Sequence, residues 1–160
     1  MKRWLVLLIS ILFLALLSGC NKDVKPQDRF AQYVEHWNKQ EFDKMYEFLS
    51  KSAKESISKK DFVNRYEKVY KDLEISKLKV TYKPDMEKEY KKEEKAALPF
   101  SASMDSAAGK IEFTHDASLV KEEKEDEKSW FVAWDTTYIF PELGPEDKIS
   151  YSTVPAQRGI

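Results

Sequence analysis

Apolar and polar positions follow two different periods along the chain. From Pro26 onward the apolar residues form three stripes at helical spacing, which are Phe30, Val34 and Trp37, then Phe42, Met45, Tyr46 and Leu49, and finally Phe62, Tyr66, Val69, Tyr70 and Leu73. Recurrence at i, i+3, i+4 and i+7 is typical of a helix that buries one face. The pattern predicts three helices, with a break near Gln40 and a start at Ser58, which has capping-box spacing to Asp61.

After Leu73 the period changes to two, which is typical of a half-buried strand. The alternating segments are residues 77–83, 98–104, 111–113 and 130–140, and residues 105–109 look like a turn. Pro99 predicts an edge strand or a bulge, since proline cannot donate to the ladder. Three helices before about four antiparallel strands predict an α+β fold, in which the helices pack on one face of a curved sheet. We expect the aromatic stripes to form its core, although they could also line a ligand pocket.

The last alternating segment contains the residues that we select as a structural motif, which are Trp130, Trp134, Asp135, Phe140 and Pro141. Alternation places Trp130, Val132, Trp134 and Tyr138 on one face of the strand and Asp135 on the other. A general base at Asp135 would need a cleft and a raised pKa, whereas a capping or pairing Asp at a surface needs neither. We expect the structural role, with no catalytic residue, and keep the catalytic role as an alternative.

The first twenty residues differ from the rest. Lys2 and Arg3 precede an apolar run over residues 4–17, and this pattern is typical of a secretory signal peptide. A membrane-spanning helix needs about 20 apolar residues, and this run is shorter. Leu17, Ser18, Gly19 and Cys20 then resemble a bacterial lipobox. We expect residues 1–19 to be the signal peptide, Cys20 to carry the lipid and residues 20–26 to form a tether, so that the protein lies on the extracytoplasmic face of the bacterial cell membrane. The alternative is an incidental thiol beside an ordinary signal or an uncleaved anchor.

Composition and charge exclude several classes of function. Removing residues 1–19 leaves 25 basic and 28 acidic residues, a net charge of −3, and one cysteine allows no internal disulfide. A nucleic-acid partner is excluded because the chain has no excess of basic residues that could gather on one face. His36 and His115 have no second ligand at metal spacing, and the acidic run at 122–127 lacks the pattern of a calcium loop. We expect no metal and no cofactor, and we expect the charged runs 87–95 and 121–128 to be solvated hairpin tips.

The S-x-x-K matches at Ser56 and Ser76 have the spacing of the nucleophile motif of penicillin-binding enzymes. Neither is followed by the S-x-N or K-T-G motif that completes such a site. Ser76 also falls at the start of a predicted strand, where the motif needs a helix. We expect neither serine to be a nucleophile.

Several stretches resemble the N-terminal domain of MecA-type class B penicillin-binding proteins, an NTF2-like cone. They are residues 42–46 and 57–66 in the helical half, and Trp130-Phe131-Val132-Ala133-Trp134-Asp135, Ile139-Phe140-Pro141-Glu142-Leu143 and Asp147-Lys148-Ile149 at the end. The resemblance covers about residues 27–149. Residues 154–160 resemble the opening of an R-G-x-I-x-D-R-x-G stretch, so residues 150–160 are expected to begin the next segment, a pedestal or dimerisation region. Thr136 and Thr137 stand where the family more often has Pro and Ser.

The resemblance implies a parent D,D-transpeptidase that cross-links peptidoglycan and binds penicillin, with a role in the response to β-lactams and in resistance. The transpeptidase motifs are absent here, so this chain is expected to be a non-catalytic, membrane-anchored spacer or regulatory domain. Its expected partners are the membrane, the C-terminal transpeptidase domain of the same polypeptide, and peptidoglycan or other divisome or elongation proteins. Two alternatives stay open, a free-standing lipoprotein that binds a small ligand in its cone and an NTF2-like enzyme that uses Asp135.

Overall fold

The computed structural model describes residues 24–85, 88–90, 92–124, 127–147 and 149. The helices are α1 (Pro26–Asn38), α2 (Phe42–Met45), α3 (Lys51–Ser56) and α4 (Lys59–Asp72), with 3₁₀ helices at Tyr46–Phe48 and Thr136–Tyr138. The strands β1 (Ser76–Tyr82), β2 (Lys95–Ser106), β3 (Gly109–Lys124) and β4 (Glu127–Val132) form one curled antiparallel sheet in chain order. The predicted α+β arrangement, helices first and then a four-stranded sheet, is confirmed.

Serine side chains cap the two helices that follow each other in the middle of the chain. Ser58 Oγ accepts a hydrogen bond from the Asp61 N–H (3.1 Å) and donates one to the Asp61 carboxylate (2.6 Å), as the capping spacing predicts. Ser50 caps α3 in the same way through the Ala53 N–H (3.2 Å). The apolar pattern does not predict α3, because Ala53 is its only buried residue and the helix has no apolar stripe.

The predicted break near Gln40 is a left-handed turn. Gln40 has φ 54°, and the Glu41 N–H donates to the His36 carbonyl five residues back (3.0 Å), as at many helix C-termini. The helix that we predicted through Leu49 is shorter, because α2 tightens into the 3₁₀ turn Tyr46–Phe48. Leu49 instead forms a parallel bridge with Val132 of β4.

The prediction that Pro99 marks an edge strand or a bulge is wrong. Pro99 lies in β2, an interior strand, and pairs with Asp116 in a register that runs without a shift along the whole of β2 and β3. The sheet tolerates the proline because β1 ends at Tyr82, which pairs with Phe100, so β1 does not pair with Pro99. The only shift in the β1–β2 register occurs between Ser76 and Lys79.

The predicted strand over residues 130–140 is also wrong at its C-terminal end, because β4 stops at Val132. Asp135 caps the following 3₁₀ helix, its Oδ1 accepting the Thr137 N–H at 2.8 Å, and this turns the backbone out of the sheet. Trp134 and Tyr138 are nevertheless buried, so alternation of apolar residues continued where the strand did not. Of the charged run 121–128, residues 121–124 end β3 and residues 127–128 begin β4, and the two strands pair from Leu119↔Val132 to Lys124↔Glu127.

A helix side chain occupies the outer edge of β1. Asn38, the last residue of α1, donates from Nδ2 to the Val80 carbonyl (2.8 Å) and accepts the Val80 N–H at Oδ1 (2.7 Å). The amide group therefore makes the same pair of hydrogen bonds that a neighbouring strand would make at this position.

Two groups from the helical half occupy the outer edge of β4. The Ser50 N–H donates to the Val132 carbonyl (2.8 Å), and Arg29 Nε donates to the Trp130 carbonyl (3.2 Å). These carbonyls belong to alternate residues of the edge strand, which point to the same side.

The core lies between the helices and one face of the sheet and is rich in aromatic rings, as the stripes predict. Its largest side chains with almost no exposure are Trp37, Trp130, Tyr33, Tyr66, Tyr138, Phe30, Phe62, Met45, Leu49, Met104, Leu119 and Ile139. Among the residues that the structure describes, the buried members of this cluster all lie between Phe30 and Leu143. This part of the chain has a core of its own, so it can fold as one domain.

Candidate functional site in the aromatic interior and the turn after β4

The residues of the sequence motif lie on both sides of one turn. Trp130 in β4 is 2% exposed and Trp134 is 6% exposed, whereas Asp135 and Pro141 are exposed and Phe140 is partly buried. The structure therefore brings the tryptophans into the core and leaves the carboxylate outside it. The lipobox residues Leu17, Ser18, Gly19 and Cys20 lie outside the described residues.

Two tryptophan–tyrosine hydrogen bonds cross the interior. Trp134 packs edge-on against Phe62 with ring centroids 4.9 Å apart, and its Nε1 donates to the Tyr66 hydroxyl at 3.0 Å. Trp37 Nε1 donates to the Tyr70 hydroxyl at 2.8 Å. A buried indole N–H needs such a partner, and here the partners are the phenols of α4.

Four buried tyrosines share this interior, and burial changes their acidity. Desolvation raises the pKa of Tyr33 and Tyr66 well above the ordinary value of 10.0, and it also raises the pKa of Tyr70 and Tyr138. The phenols therefore remain neutral at any physiological pH. They can donate and accept hydrogen bonds but cannot serve as general bases there.

A polar chain on the surface links Asp135 to a histidine of β3. The Thr137 hydroxyl donates to Asp135 Oδ1, and the same hydroxyl oxygen is 3.0 Å from His115 Nε2. Since the hydroxyl proton goes to the carboxylate, the histidine must be the donor in the second hydrogen bond. In this arrangement His115 does not activate the hydroxyl, and Asp135 already accepts two hydrogen bonds from Thr137 as a cap.

Neither Ser56 nor Ser76 makes a side-chain hydrogen bond to a base among the described residues. Ser56 Oγ donates to the Ala53 carbonyl of its own helix at 2.8 Å, which is an ordinary intrahelical contact. Ser76 opens β1, is exposed and pairs with Asp105 across the sheet. The structure provides no activated nucleophile at either position.

The second histidine belongs to a surface ion-pair cluster. His36 Nδ1 is 2.6 Å from Glu41 Oε2, and Lys44 Nζ is 2.7 Å from Glu41 Oε1. The hydrogen bond from Lys44 and then the one from His36 lower the pKa of Glu41 to about 2. Over the part of the chain that the structure describes, no three His, Cys, Asp or Glu side chains are grouped so that they could hold a metal ion.

A shallow groove of about 720 Å³ lies on the exposed face of the sheet rather than inside the cone. Its lining includes Lys79, Thr81, Ser101, Ser103, Glu112 and Thr114. Glu112 is already held by Lys110 at 2.6 Å. The groove is open, its lining is a mixture of polar and apolar surface, and it gives no support to a ligand bound in the aromatic interior.

The segment after the 3₁₀ helix is fixed to the domain by hydrogen bonds. The buried Thr136 hydroxyl donates to the Leu143 carbonyl at 2.6 Å, and Arg65 Nη2 of α4 donates to the carbonyls of Pro145 (2.7 Å) and Asp147 (3.3 Å). Thr136 and Thr137 therefore hold this turn through their own hydroxyls.

Comparison with known proteins identifies the domain. A sequence model of the family described as "NTF2-like N-terminal transpeptidase domain" matches residues 25–147. The chain belongs to this family. The resemblance read from the sequence is thereby confirmed, and the helices and curled sheet are those expected of an NTF2-like N-terminal transpeptidase domain.

A curated relative gives the domain its wider context. The chain is 37% identical over 163 residues to "Penicillin-binding protein 3" of Bacillus subtilis (strain 168), covering 99% of this chain and 24% of the relative. The chain thus spans about a quarter of the length of the curated relative it matches. A solved structure, that of a sec-c motif containing protein from Psychrobacter arcticus, overlaps 78% of this chain and 59% of that one at 17% identity, with a TM-score of 0.40. That likeness is too weak to carry an argument.

Sequence reasoning missed the groups that fix this NTF2-like N-terminal transpeptidase domain at its edges. Arg29, Asn38 and Arg65 bond to backbone carbonyls 42 to 101 residues away along the chain, and no local pattern marks such contacts. The turn after β4 could have been found, because Asp135 followed by two threonines is a capping signal. None of the described helices is both long and apolar enough to cross a membrane.

Proposed function

We propose that this chain is the non-catalytic, membrane-anchored spacer or regulatory domain of a penicillin-binding peptidoglycan transpeptidase, acting in cell-wall synthesis and in the response to β-lactams. The observation that carries the proposal is the family match together with the relative: an N-terminal transpeptidase domain that corresponds to about a quarter of a penicillin-binding protein. The catalytic half of such a protein would then lie in other parts of the same polypeptide.

The chemistry of the described residues supports a non-catalytic role. A serine nucleophile needs a base within hydrogen-bond reach, and the hydroxyl of Ser56 is turned to its own helix. A general base needs a site from which it can reach a substrate proton, and Asp135 is exposed and occupied as a cap. Ser56 and Asp135 thus make structural hydrogen bonds and are not arranged for a reaction.

The hydrogen bonds of the exit segment support the spacer role. If a spacer domain positions the domain that follows it, the chain must leave the spacer in a defined direction. Arg65 and Thr136 hold three carbonyls of residues 143–147, so this segment belongs to the rigid body rather than to a free linker. The proposal therefore includes that the orientation of this domain sets the direction of the segment that follows it.

The proposed membrane anchor depends on the sequence alone. The lipobox residues 17–20 supply the small side chains that the signal peptidase requires and the thiol that accepts the lipid, and two or more acyl chains are enough for stable anchoring. The proposal places the domain on the extracytoplasmic face, within reach of peptidoglycan and of the proteins that assemble it.

The free-standing alternative, a lipoprotein that binds a small ligand in its cone, is less well supported. The interior that would receive the ligand is occupied by Trp37, Tyr66 and Trp134, whose polar atoms already bond to one another or to Tyr70. A ligand would have to displace these side chains. We therefore favour the spacer.

Labelling with a fluorescent penicillin tests the proposal. Residues 21–160 should not become covalently labelled, whereas the full-length parent should be labelled at its transpeptidase domain. Ser56→Ala serves as the matched variant and should change nothing. Labelling of the isolated domain that disappears in Ser56→Ala would overturn the non-catalytic role.

Deleting residues 26–147 from the parent, with the anchor retained, tests the spacer. The purified deletion protein should still be acylated by penicillin at the parent's rate, while cross-linking of peptidoglycan in cells should fall. Loss of acylation in the purified protein would assign this domain a direct part in catalysis and contradict the proposal.

A further inference from the structure

Arg29 of α1 has a guanidinium group fixed between aromatic rings. Its central carbon lies 4.3 Å from the ring centroid of Phe48 and 5.5 Å from that of Phe131. Its Nε donates to the Trp130 carbonyl at 3.2 Å. The contacts with the two rings and the one hydrogen bond restrain the position of the guanidinium group.

This charge is partly buried, yet no carboxylate balances it within the described part of the chain. Burial lowers the pKa of Arg29 below its ordinary value, and none of the ion pairs among the described residues involves this side chain. A desolvated charge without a counter-ion is unfavourable. Arg65, by contrast, uses its guanidinium to bind two backbone carbonyls.

The side chain still has donors to offer. A guanidinium carries five N–H groups in a planar fork, and among the described residues only the Nε–H of Arg29 has a hydrogen-bond acceptor. The two terminal nitrogens match the spacing of two oxygens on a phosphate or carboxylate, which is the geometry of a bidentate pair. The chemistry that fits Arg29 is thus an oxyanion.

Two further cations lie over aromatic rings beside the same strand. Lys121 Nζ is 5.8 Å from the Trp130 ring, and Lys88 Nζ is 4.8 Å from the Tyr90 ring, which itself contacts Trp130 at 6.1 Å. The nearby carboxylate of Glu122 is engaged by the Lys51 N–H at 3.1 and 3.0 Å. Basic side chains lying on aromatic rings are typical of surfaces that meet lipid headgroups.

The position of Arg29 in the chain indicates the source of the oxyanion. This step rests on the proposed lipid anchor: six residue steps separate Cys20 from Pro26, and they span at most about 22 Å. Arg29 lies in the first turn after that tether, so it is held close to the headgroup layer. The mature net charge of −3 gives no general attraction to an anionic bilayer, so contact there requires a local site.

We propose that Arg29 is an oxyanion-binding site that takes the phosphate of a membrane phospholipid headgroup. Binding would supply the missing counter-ion and orient the domain with the N-terminal end of α1 and the outer edge of β4 toward the bilayer. The competing interpretation is that Arg29 only caps the β4 edge and needs no ligand.

Side-chain NMR of residues 21–160 tests the oxyanion site first. Titration with inorganic phosphate should shift the Nε–Hε resonance of Arg29 saturably, whereas that of Arg65, which is bonded to carbonyls, should not move. Absence of a saturable shift at Arg29 overturns the site. This unlipidated protein makes the result independent of acylation at Cys20, which is tested separately.

Vesicle sedimentation then tests the lipid as the occupant. Binding to phosphatidylcholine vesicles that contain phosphatidylglycerol should fall at least threefold in Arg29→Gln. Lys71→Gln, which removes the same charge from the exposed face of α4, should bind like the wild type. Equal losses in both variants, or unchanged vesicle binding in Arg29→Gln despite phosphate binding at Arg29, overturns the lipid assignment. Should Arg29→Gln fail to fold, Arg29→Lys keeps the charge without the fork and should show the same loss.

Discussion

Truncation of Trp134 to alanine is the sharpest test of how this domain is held together. The side chain is 6% exposed, packs on Phe62 and Tyr66 of α4, and donates its indole N–H to the Tyr66 hydroxyl at 3.0 Å. Removing a buried tryptophan costs about 3 to 5 kcal/mol, and the value depends on how far the cavity collapses. Because domains of this kind are stable by only about 5 to 15 kcal/mol, the variant should lose a large part of its stability.

Two companion variants divide this energy into parts. Trp134→Phe keeps most of the ring packing but removes the donor to Tyr66, so it should cost about 1 to 3 kcal/mol. Asp135→Asn keeps an oxygen that can accept the Thr137 N–H, and it should be nearly neutral. Substitutions at Trp134 and Asp135 thus differ in their effect on the free energy of unfolding, because Trp134 lies inside the core and Asp135 lies outside it.

Urea unfolding of residues 21–160, followed by far-UV circular dichroism, measures these differences without depending on tryptophan fluorescence. At an m-value of about 2 kcal/mol/M, a loss of 4 kcal/mol lowers the midpoint by about 2 M. A loss below about 1 kcal/mol for Trp134→Ala would refute the packing argument, since that is less than any buried tryptophan should cost. A larger loss for Asp135→Asn than for Trp134→Ala would show that the two side chains face opposite ways from those described.

Other expected results concern the anchor, the pH dependence and one helix end. Cys20→Ser should leave the precursor unprocessed and without label from a radioactive fatty acid, and equal labelling of the mutant would exclude the lipoprotein. Glu41, with its pKa lowered to about 2 from 4.5, stabilises the fold above pH 4.5, and this contribution is lost as the pH falls toward 2. Between about pH 6 and pH 3, Glu41→Gln should therefore lose less urea stability than the wild type, and an identical pH dependence would contradict the assignment. Gln40→Gly should raise the free energy of unfolding by about 0.5 to 1 kcal/mol, since φ 54° favours glycine, while Gln40→Ala should give no gain.

The sequence predicts the helices and strands of this domain wherever burial has a regular period. The stripe that begins at Phe62 marks α4 because every turn of that helix contributes to the core, and Ser58 marks its start. Helix α3 has one buried residue, Ala53, so its sequence contains no apolar period that could predict the helix. Trp134 extends the apparent strand beyond its end because the turn that follows Val132 also places alternate residues in the core.

The candidate site is harder to predict than the fold, for a physical reason. Trp134 and Tyr66 are 68 residues apart, and their hydrogen bond exists only because α4 packs on the turn after β4. The contact of Arg29 with the β4 edge spans 101 residues. Composition indicates that such polar groups are present, but their partners follow from the tertiary structure alone. The family resemblance predicted the fold correctly because members of a family share their tertiary structure.

The hydrogen bonds from Asn38 to β1 and from Arg29 and Ser50 to β4 have a consequence for how copies of this domain can associate. Open strand edges are templates for fibril growth and for the exchange of strands between neighbouring molecules. That hazard grows when many molecules are confined to a two-dimensional layer, where encounters are frequent and orientations are shared. Groups of its own helical half already occupy hydrogen-bonding positions on both edges, at Val80, Trp130 and Val132. An incoming strand cannot pair at these positions, which disfavours strand exchange between neighbouring copies.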